Sequence, residues 1–318
     1  MSGHPFHASR VAQRAVDNLI PERFKREGTP MTALHRHRFT IARRVVQLSV
    51  LALFIGTLHA GWTLFGAPLL AGNLSASTIA GVVPMADPFA VLQLLAARHP
   101  VATELLIGGV ITLGVYALIG GRFFCAWVCP MNIVTDAAES LRQRMDSSAR
   151  HDLLRLPRST RYGALVLALV VSAAAGVAAF EWLSPVAMLH RELIYGAGLG
   201  LTGALAVFLF DAFVLRHGWC GHLCPLGAFW ALVGRVGQVK VAFDAASCTH
   251  CGECIKVCPE PPVLNLAQAA ERGLIASSEC TGCARCIAIC PESSLRVALR
   301  SQARPGTLRT TSLAGGSS

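Results

Sequence analysis

The cysteines constrain this chain more than any other feature. All twelve fall in spaced motifs. Eight form two C-x-x-C-x-x-C-x-x-x-C-P runs: Cys248, Cys251, Cys254 and Cys258 before Pro259, and Cys280, Cys283, Cys286 and Cys290 before Pro291. Four form two C-x-x-x-C-P pairs: Cys125 and Cys129 before Pro130, and Cys220 and Cys224 before Pro225. Each pair directly follows a long hydrophobic segment, so thiol chemistry is tied to apolar helices.

Hydrophobic residues make up 53% of the 318, and charged residues only 14%. Soluble domains carry about 25% charged residues, so the composition indicates a membrane protein. Four stretches, about 45–65, 101–120, 162–180 and 193–215, reach the roughly 20 apolar residues a bilayer requires. All but two of the 28 Lys and Arg (Arg98 and Arg191) lie on the side shared by the N-terminus, the second loop and the C-terminus. The positive-inside rule makes that side cytoplasmic. The net charge of +10 therefore follows topology and does not indicate nucleic acid. Every cysteine lies on the same side, where a reducing compartment favours metal ligation over disulfides. Arg43-Arg44 reads as the cytoplasmic flank of a signal-anchor helix, and the apolar stretch starts too late for a cleaved signal peptide.

The expected fold is an all-α polytopic membrane domain of four transmembrane helices in two parallel repeats, followed by a small α+β domain. Residues 1–44 form a cytoplasmic N-terminal segment, in which 9–26 are either a surface amphipathic helix or disordered. Residues 45–235 form the membrane domain, 236–300 the small domain, and 301–318 a disordered tail. The repeat shows in the prolines. Asp87-Pro88 and Ser184-Pro185 each open an apolar segment too short to span, then comes a span, then a C-x-x-x-C-P pair. Two halves running in one direction imply a pseudo-twofold along the membrane normal.

The eight-cysteine set has the spacing of a two-cluster ferredoxin, in which the fourth cysteine of each run ligates the other run's [4Fe–4S] cluster. Cys248, Cys251, Cys254 and Cys290 are assigned to one cluster, and Cys280, Cys283, Cys286 and Cys258 to the other. Structural zinc rarely shows this doubled spacing. The C-x-x-x-C-P pairs leave three readings open. Spacing of i, i+4 puts two sulfurs on one helical face, so Cys125, Cys129, Cys220 and Cys224 form a site for a metal or further cluster, or cycle between dithiol and disulfide, or are packing residues. Arg122, Trp127, Trp219 and Trp230 read as interfacial anchors. His59, Glu104, Glu181 and His190 lie near the opposite surface as interfacial polar residues. No facing pair of histidines sits inside the spans to hold a haem, and no Gly-rich nucleotide loop is present.

The segment from Gly121 through Cys125, Cys129 and Pro130 to Asn132, with Val134-Thr135-Asp136, resembles the NapH/MauN family of ferredoxin-type membrane proteins. So do His217 through Pro225, Asp87-Pro88 and Glu181-Trp182. The resemblance covers roughly residues 40–300. It implies a quinol dehydrogenase subunit in the bacterial inner membrane. Such a subunit takes electrons from the quinol pool and feeds a periplasmic nitrate reductase through a NapG-like iron–sulfur protein or a NapC-like tetrahaem cytochrome. An assembly factor that reduces a metal or cofactor for a partner enzyme is the alternative, and a membrane anchor for a partner ferredoxin a third. On the quinol reading, the expected binding place is a groove between the spans near the C-x-x-x-C-P pairs and Asp211. Asp211, ionisable at a span's end, either accepts a quinol proton or pairs with Arg216.

Overall fold

The computed structural model describes residues 33–145, 152–154, 156–196 and 198–302. The expectations for residues 9–26 and for the tail beyond 302 lie outside the described residues. The chain is mostly helical. Helix α1, Ala33–His59, is followed by a hairpin of β1 (Thr63–Leu64) and β2 (Ala67–Pro68). Its two-residue loop, Phe65-Gly66, holds both residues at positive φ, as a type I′ turn demands. An antiparallel sheet of β3 (Leu70–Gly72), β4 (Ala76–Ile79) and β5 (Val83–Ala86) comes next.

Two matched units follow. In the first, α2 (Pro88–Ala96) leads to α3 (Thr103–Ile119), α4 (Phe123–Trp127) and α5 (Met131–Arg144). Helix α6 (Thr160–Ala175) and the short α7 (Ala179–Leu183) bridge to the second unit. There α8 (Pro185–Tyr195) leads to α9 (Gly200–Leu209), two π turns (Phe210–Val214 and Trp219–Leu223) and α10 (Pro225–Val233). The short helices α2 and α8 start alike. Proline takes the first turn, where its missing N–H costs nothing. Asp87 accepts from Phe89 N, and Ser184 accepts from Ala187 N. Each then packs against a glycine on the following long helix. A Cβ on Gly109 would lie 3.8 Å from Pro88 Cα, and one on Gly203 would lie 3.9 Å from Pro185 Cα.

The four expected spans are changed in length and position. Among the described residues one helix, over Arg36–His59, is long and apolar enough to cross a membrane. Thr103–Ile119, Thr160–Ala175 and Gly200–Val214 are shorter apolar helices. The 17 residues of α3 rise about 26 Å, against a hydrocarbon core of about 30 Å. The causes are local. Gly176 and Gly196, both left-handed, end α6 and α8, so neither 162–180 nor 193–215 is one continuous helix. Helix α1 starts twelve residues before the expected 45 because Arg43 and Arg44, which hydropathy counts against a helix in the membrane, find partners. Arg43 Nη1 donates to Asn132 Oδ1 at 3.3 Å, and both arginines pair with Asp136.

The C-terminal unit is small and mixed. Strand β6 (Val239–Phe243) pairs antiparallel with β7 (Leu295–Leu299), from Val239↔Leu299 to Phe243↔Leu295. Helices α11 (Glu253–Lys256), α12 (Leu266–Arg272) and α13 (Arg285–Ile289) lie between them in sequence. Val241, Phe243, Leu264, Ile275, Ile287 and Leu295 form its core. It docks on the cysteine end of the helices. Arg122 Nη1 donates to Glu279 O at 2.7 Å, Trp127 Nε1 to Gly282 O at 3.1 Å, and Gln238 N to Leu118 O at 2.8 Å.

Candidate iron–sulfur sites

The twelve thiols gather in three sets of four. Cys248, Cys251, Cys254 and Cys290 line one small cavity. Cys258, Cys280, Cys283 and Cys286 line a second. Each cavity thus takes three cysteines from one run and the last cysteine of the other. The backbone makes this arrangement by reversing tightly: Gly252 and Gly282 lie in the left-handed region at φ 74° and 62°. Burial, with Cys283 and Cys280 close by, pushes the Cys258 thiol up. Four buried thiolates so close together are unfavourable unless their charge is shared with a cation, so the donor set suits iron–sulfur cubes.

The third set joins the two repeats. Burial pushes the Cys220 thiol well up, and the neighbouring Cys224, Asp211, Cys129 and Cys125 push it further. Cys224 rises to about 12, through burial and then Cys125. The spacing is not a plain α-helical turn, as i, i+4 suggested. Cys129 N donates to Phe124 O at 3.0 Å and Cys224 N to Trp219 O at 2.8 Å. Both bonds span five residues, the widened turn that marks functional sites in helices. Cys224 Sγ also caps α10, accepting from Gly227 N at 3.4 Å. Among the described residues no group of three His, Cys, Asp or Glu side chains closes tightly enough to hold one metal ion. A single zinc with bonds of about 2.3 Å needs its four sulfurs roughly 4 Å apart. None of the three sets closes to that spacing, and a cube needs its thiols further apart.

Charge beside this set was not foreseen. Glu260, 3% exposed, receives Arg122 at 3.0 Å, Arg158 and Arg161. Glu279 receives Arg158 and Arg161, and accepts from Tyr162 Oη at 2.9 Å. Three arginines thus face two carboxylates, leaving one positive charge in excess. Arg122 reaches Cys220 O at 3.3 Å, and Arg122 and Arg161 both partly offset the rise of the Cys125 thiol that burial causes. A cube held by four thiolates is anionic, which matches this excess. Nothing in the spacing announced Glu260; the only hint is an acid directly after Cys258-Pro259.

Other expectations are corrected. Arg122 and Trp230 are each 1% exposed, so they are not interfacial anchors. Trp230 packs among Tyr116, Phe124 and Phe229. Trp127 and Trp219 are half-buried beside the cysteines. Asp211 does not pair with Arg216. Its Oδ1 accepts from Trp219 N at 2.9 Å, which fixes the turn carrying Cys220, while Arg216 pairs with Glu139 at 2.9 Å. At the far end from the cysteines, His59 Nε2 meets Ile194 O at 2.9 Å and Glu181 accepts from Ser75. His190 is 2% exposed with neither ring nitrogen hydrogen-bonded, and Glu104 is exposed.

The comparisons agree with this layout. A family model described as a 4Fe-4S dicluster domain matches residues 240–291. One described as a 4Fe-4S binding domain matches twice, over 101–146 and 197–243, so that each match contains one C-x-x-x-C-P pair. The chain is 45% identical over 229 residues to the ferredoxin-type protein NapH of Escherichia coli, covering 72% of this chain and 77% of that one. It is 42% identical over 238 residues to the methylamine utilization ferredoxin-type protein MauN of Methylobacillus flagellatus, covering 74% and 81%. To MauN of Methylorubrum extorquens it is 41% identical over 244 residues, covering 76% and 82%. No solved structure matches. With three four-cysteine sets in place and this identity along most of its length, the chain belongs to the NapH/MauN family of ferredoxin-type iron–sulfur electron-transfer proteins.

Proposed function

We propose that this chain is the membrane subunit of a quinol dehydrogenase. In this reading it crosses the bacterial inner membrane four times, with both termini and all cysteines cytoplasmic. It carries [4Fe–4S] clusters on Cys248, Cys251, Cys254 and Cys290, on Cys280, Cys283, Cys286 and Cys258, and a third on Cys125, Cys129, Cys220 and Cys224. The observation that supports it most is the gathering of three four-thiol sets at one end of a bundle of apolar helices. The outward faces of that bundle favour a lipid surrounding: Val110, Leu118, Leu167 and Leu205 are more than half exposed, and soluble monomers rarely present so large an apolar surface. The side carrying the Lys and Arg excess supports the orientation.

When bound, such cubes accept single electrons, and quinol oxidised to quinone releases two electrons and two protons. The protein's own share is positional. Asp211 holds the Cys220 turn, Arg122 ties that turn to Glu260 and Glu279, and Trp127 ties α4 to the Cys283 loop. A NapG-like iron–sulfur protein or NapC-like tetrahaem cytochrome, and beyond it a periplasmic nitrate reductase, are the partners this reading takes from the NapH resemblance. Anaerobic purification with iron and sulfide analysis should find about twelve irons, four per set. Adding menaquinol or ubiquinol should then change the EPR spectrum of the oxidised protein. Failure of both quinols to reduce the wild-type protein would defeat the quinol reading. Unchanged iron in the Cys125→Ser, Cys220→Ser double variant would return that set to simple packing.

A further inference from the structure

The seam between the helices and the C-terminal unit holds a cavity of about 250 Å³. Phe123 and Trp127 of α4, Val239 and Val297 of the sheet, and Cys280 and Lys240 line it. Nearly all of its surface is apolar. It exists because glycines line the crossing: a Cβ on Gly282 would lie 2.4 Å from the Phe123 ring. Asp211 is not among its lining residues, so it is not the groove expected between the spans. Resting on the quinol reading above, we propose that this cavity binds the ring of the quinol.

Three observations point to that occupant. The first is size. An apolar cavity of about 150 Å³ is enough to take up benzene, so this one accommodates a substituted quinone ring. The second is polarity. Ligand sites of this kind combine apolar walls with a few placed polar groups, and here the polar groups are the Lys240 ammonium and Ser278. The ammonium donates one proton to Gly234 O at 3.1 Å and has two more to offer a ring oxygen. An acyl chain would have no use for a half-buried cation. The third is position. The cavity lies where α3 ends, at Gly120 and Gly121, the level at which an apolar helix meets the polar unit. A ring on a lipid-soluble tail can reach that depth. Cys280, which lines the cavity, belongs to one thiol set, and Trp127 lies between Cys125 and Cys129 of another in sequence.

The test uses the full chain purified anaerobically, with heptyl-hydroxyquinoline N-oxide as a fluorescent quinone-site probe. The wild-type protein should quench the probe, and a short-chain quinol should reverse the quenching. Val297 is 54% exposed on β7, so Val297→Trp can fill the cavity from outside without touching a thiol set. Val297→Trp and Lys240→Met should each weaken probe binding by about tenfold or more. Iron content and the EPR spectrum after dithionite should stay unchanged, and Lys240→Met serves alone if the tryptophan variant loses iron. Wild-type quenching in both variants would overturn the proposal while leaving quinol oxidation intact. Conversely, a wild-type protein that binds the probe at this cavity but is not reduced by quinol would sink the quinol reading alone. Reversal by added phospholipid as readily as by quinol would assign the cavity to an acyl chain. A large gain in affinity on ending the chain at Gln302 would assign it to residues 303–318. Either result would overturn the proposal.

Discussion

Helices α5 and α10 follow the same Cys-Pro step, yet they do opposite work. Helix α10 is a core element: Ala228, Trp230 and Ala231 are each no more than 1% exposed, and its polar content is negligible. Helix α5 is a charge platform. Its Asp136 receives Arg43 and Arg44 from α1 and Arg285 from α13, while its Glu139 receives Arg216. The two repeats share what positions the four thiols and differ in what comes after them. One half leads straight into the C-terminal unit, since α10 is followed directly by β6. The other half holds that unit from outside, through Arg285. Repetition supplied the thiol set, and divergence after the prolines supplied the docking of the ferredoxin-type unit.

The largest expected effect tests the core side of this comparison. Trp230→Ala should cost about 3–5 kcal/mol, as for other buried aromatic truncations, read as the midpoint of thermal unfolding. Asp136→Leu comes next. It strands Arg43, which is 1% exposed, together with two arginines that reach water. Breaking a fully buried pair costs about 3–5 kcal/mol, and the partial exposure of Arg44 and Arg285 should bring the figure to the low end. Amide exchange in α13 should also speed up, because that helix loses its tie to α5. If Asp136→Leu proved costlier than Trp230→Ala, the division into core half and platform half would be the wrong way round.

How much of this was legible in the sequence depends on what carries the information. Cysteines and prolines are positional markers, so the repeat and the crossed grouping of the eight C-terminal thiols follow from spacing. The short helices after Asp87 and Ser184 are legible for the same reason, through a cap followed by proline. Hydropathy, in contrast, misplaces α1, because a window average cannot know that Arg43 and Arg44 meet Asp136, 92 residues from Arg44. It also gives no sign of the five short strands between α1 and α2. The π turns carry no local code at all: Phe124 O and Trp219 O are reached by Cys129 N and Cys224 N only because the thiols of two halves must converge. The Arg122–Glu260 pair joins residues 138 apart, beyond any motif.

A smaller effect sharpens the platform side. Arg216 is 32% exposed but its partner Glu139 only 9%, so the pair lies between an exposed one, which contributes about 0–1 kcal/mol, and a buried one, whose breaking costs about 3–5 kcal/mol. Arg216→Ala should therefore shift thermal unfolding by about 1–2 kcal/mol and leave iron content unchanged. A loss comparable to that of Asp136→Leu would mean that the platform acts as one network.

The last comparison concerns the caps, where the halves differ in one chemical respect: Asp87 can ionise and Ser184 cannot. Burial, and then the charge of nearby Glu181, push Asp87 up to about 7, from about 3.9 in an unfolded chain. The folded state thus binds this proton more tightly than the unfolded state. The resulting stabilisation is complete below about pH 4 and is lost as pH rises through about 7. Asn caps a helix as well as Asp does and never ionises. Asp87→Asn should therefore match the wild type in thermal unfolding near pH 4 and exceed it near pH 8. Ser184→Asn should show no such divergence with pH. An equal offset between wild type and Asp87→Asn at both pH values would mean that folding leaves the Asp87 pKa where it is in the unfolded chain. The two caps would then be interchangeable, and the asymmetry of the repeats would begin only after the Cys-Pro steps.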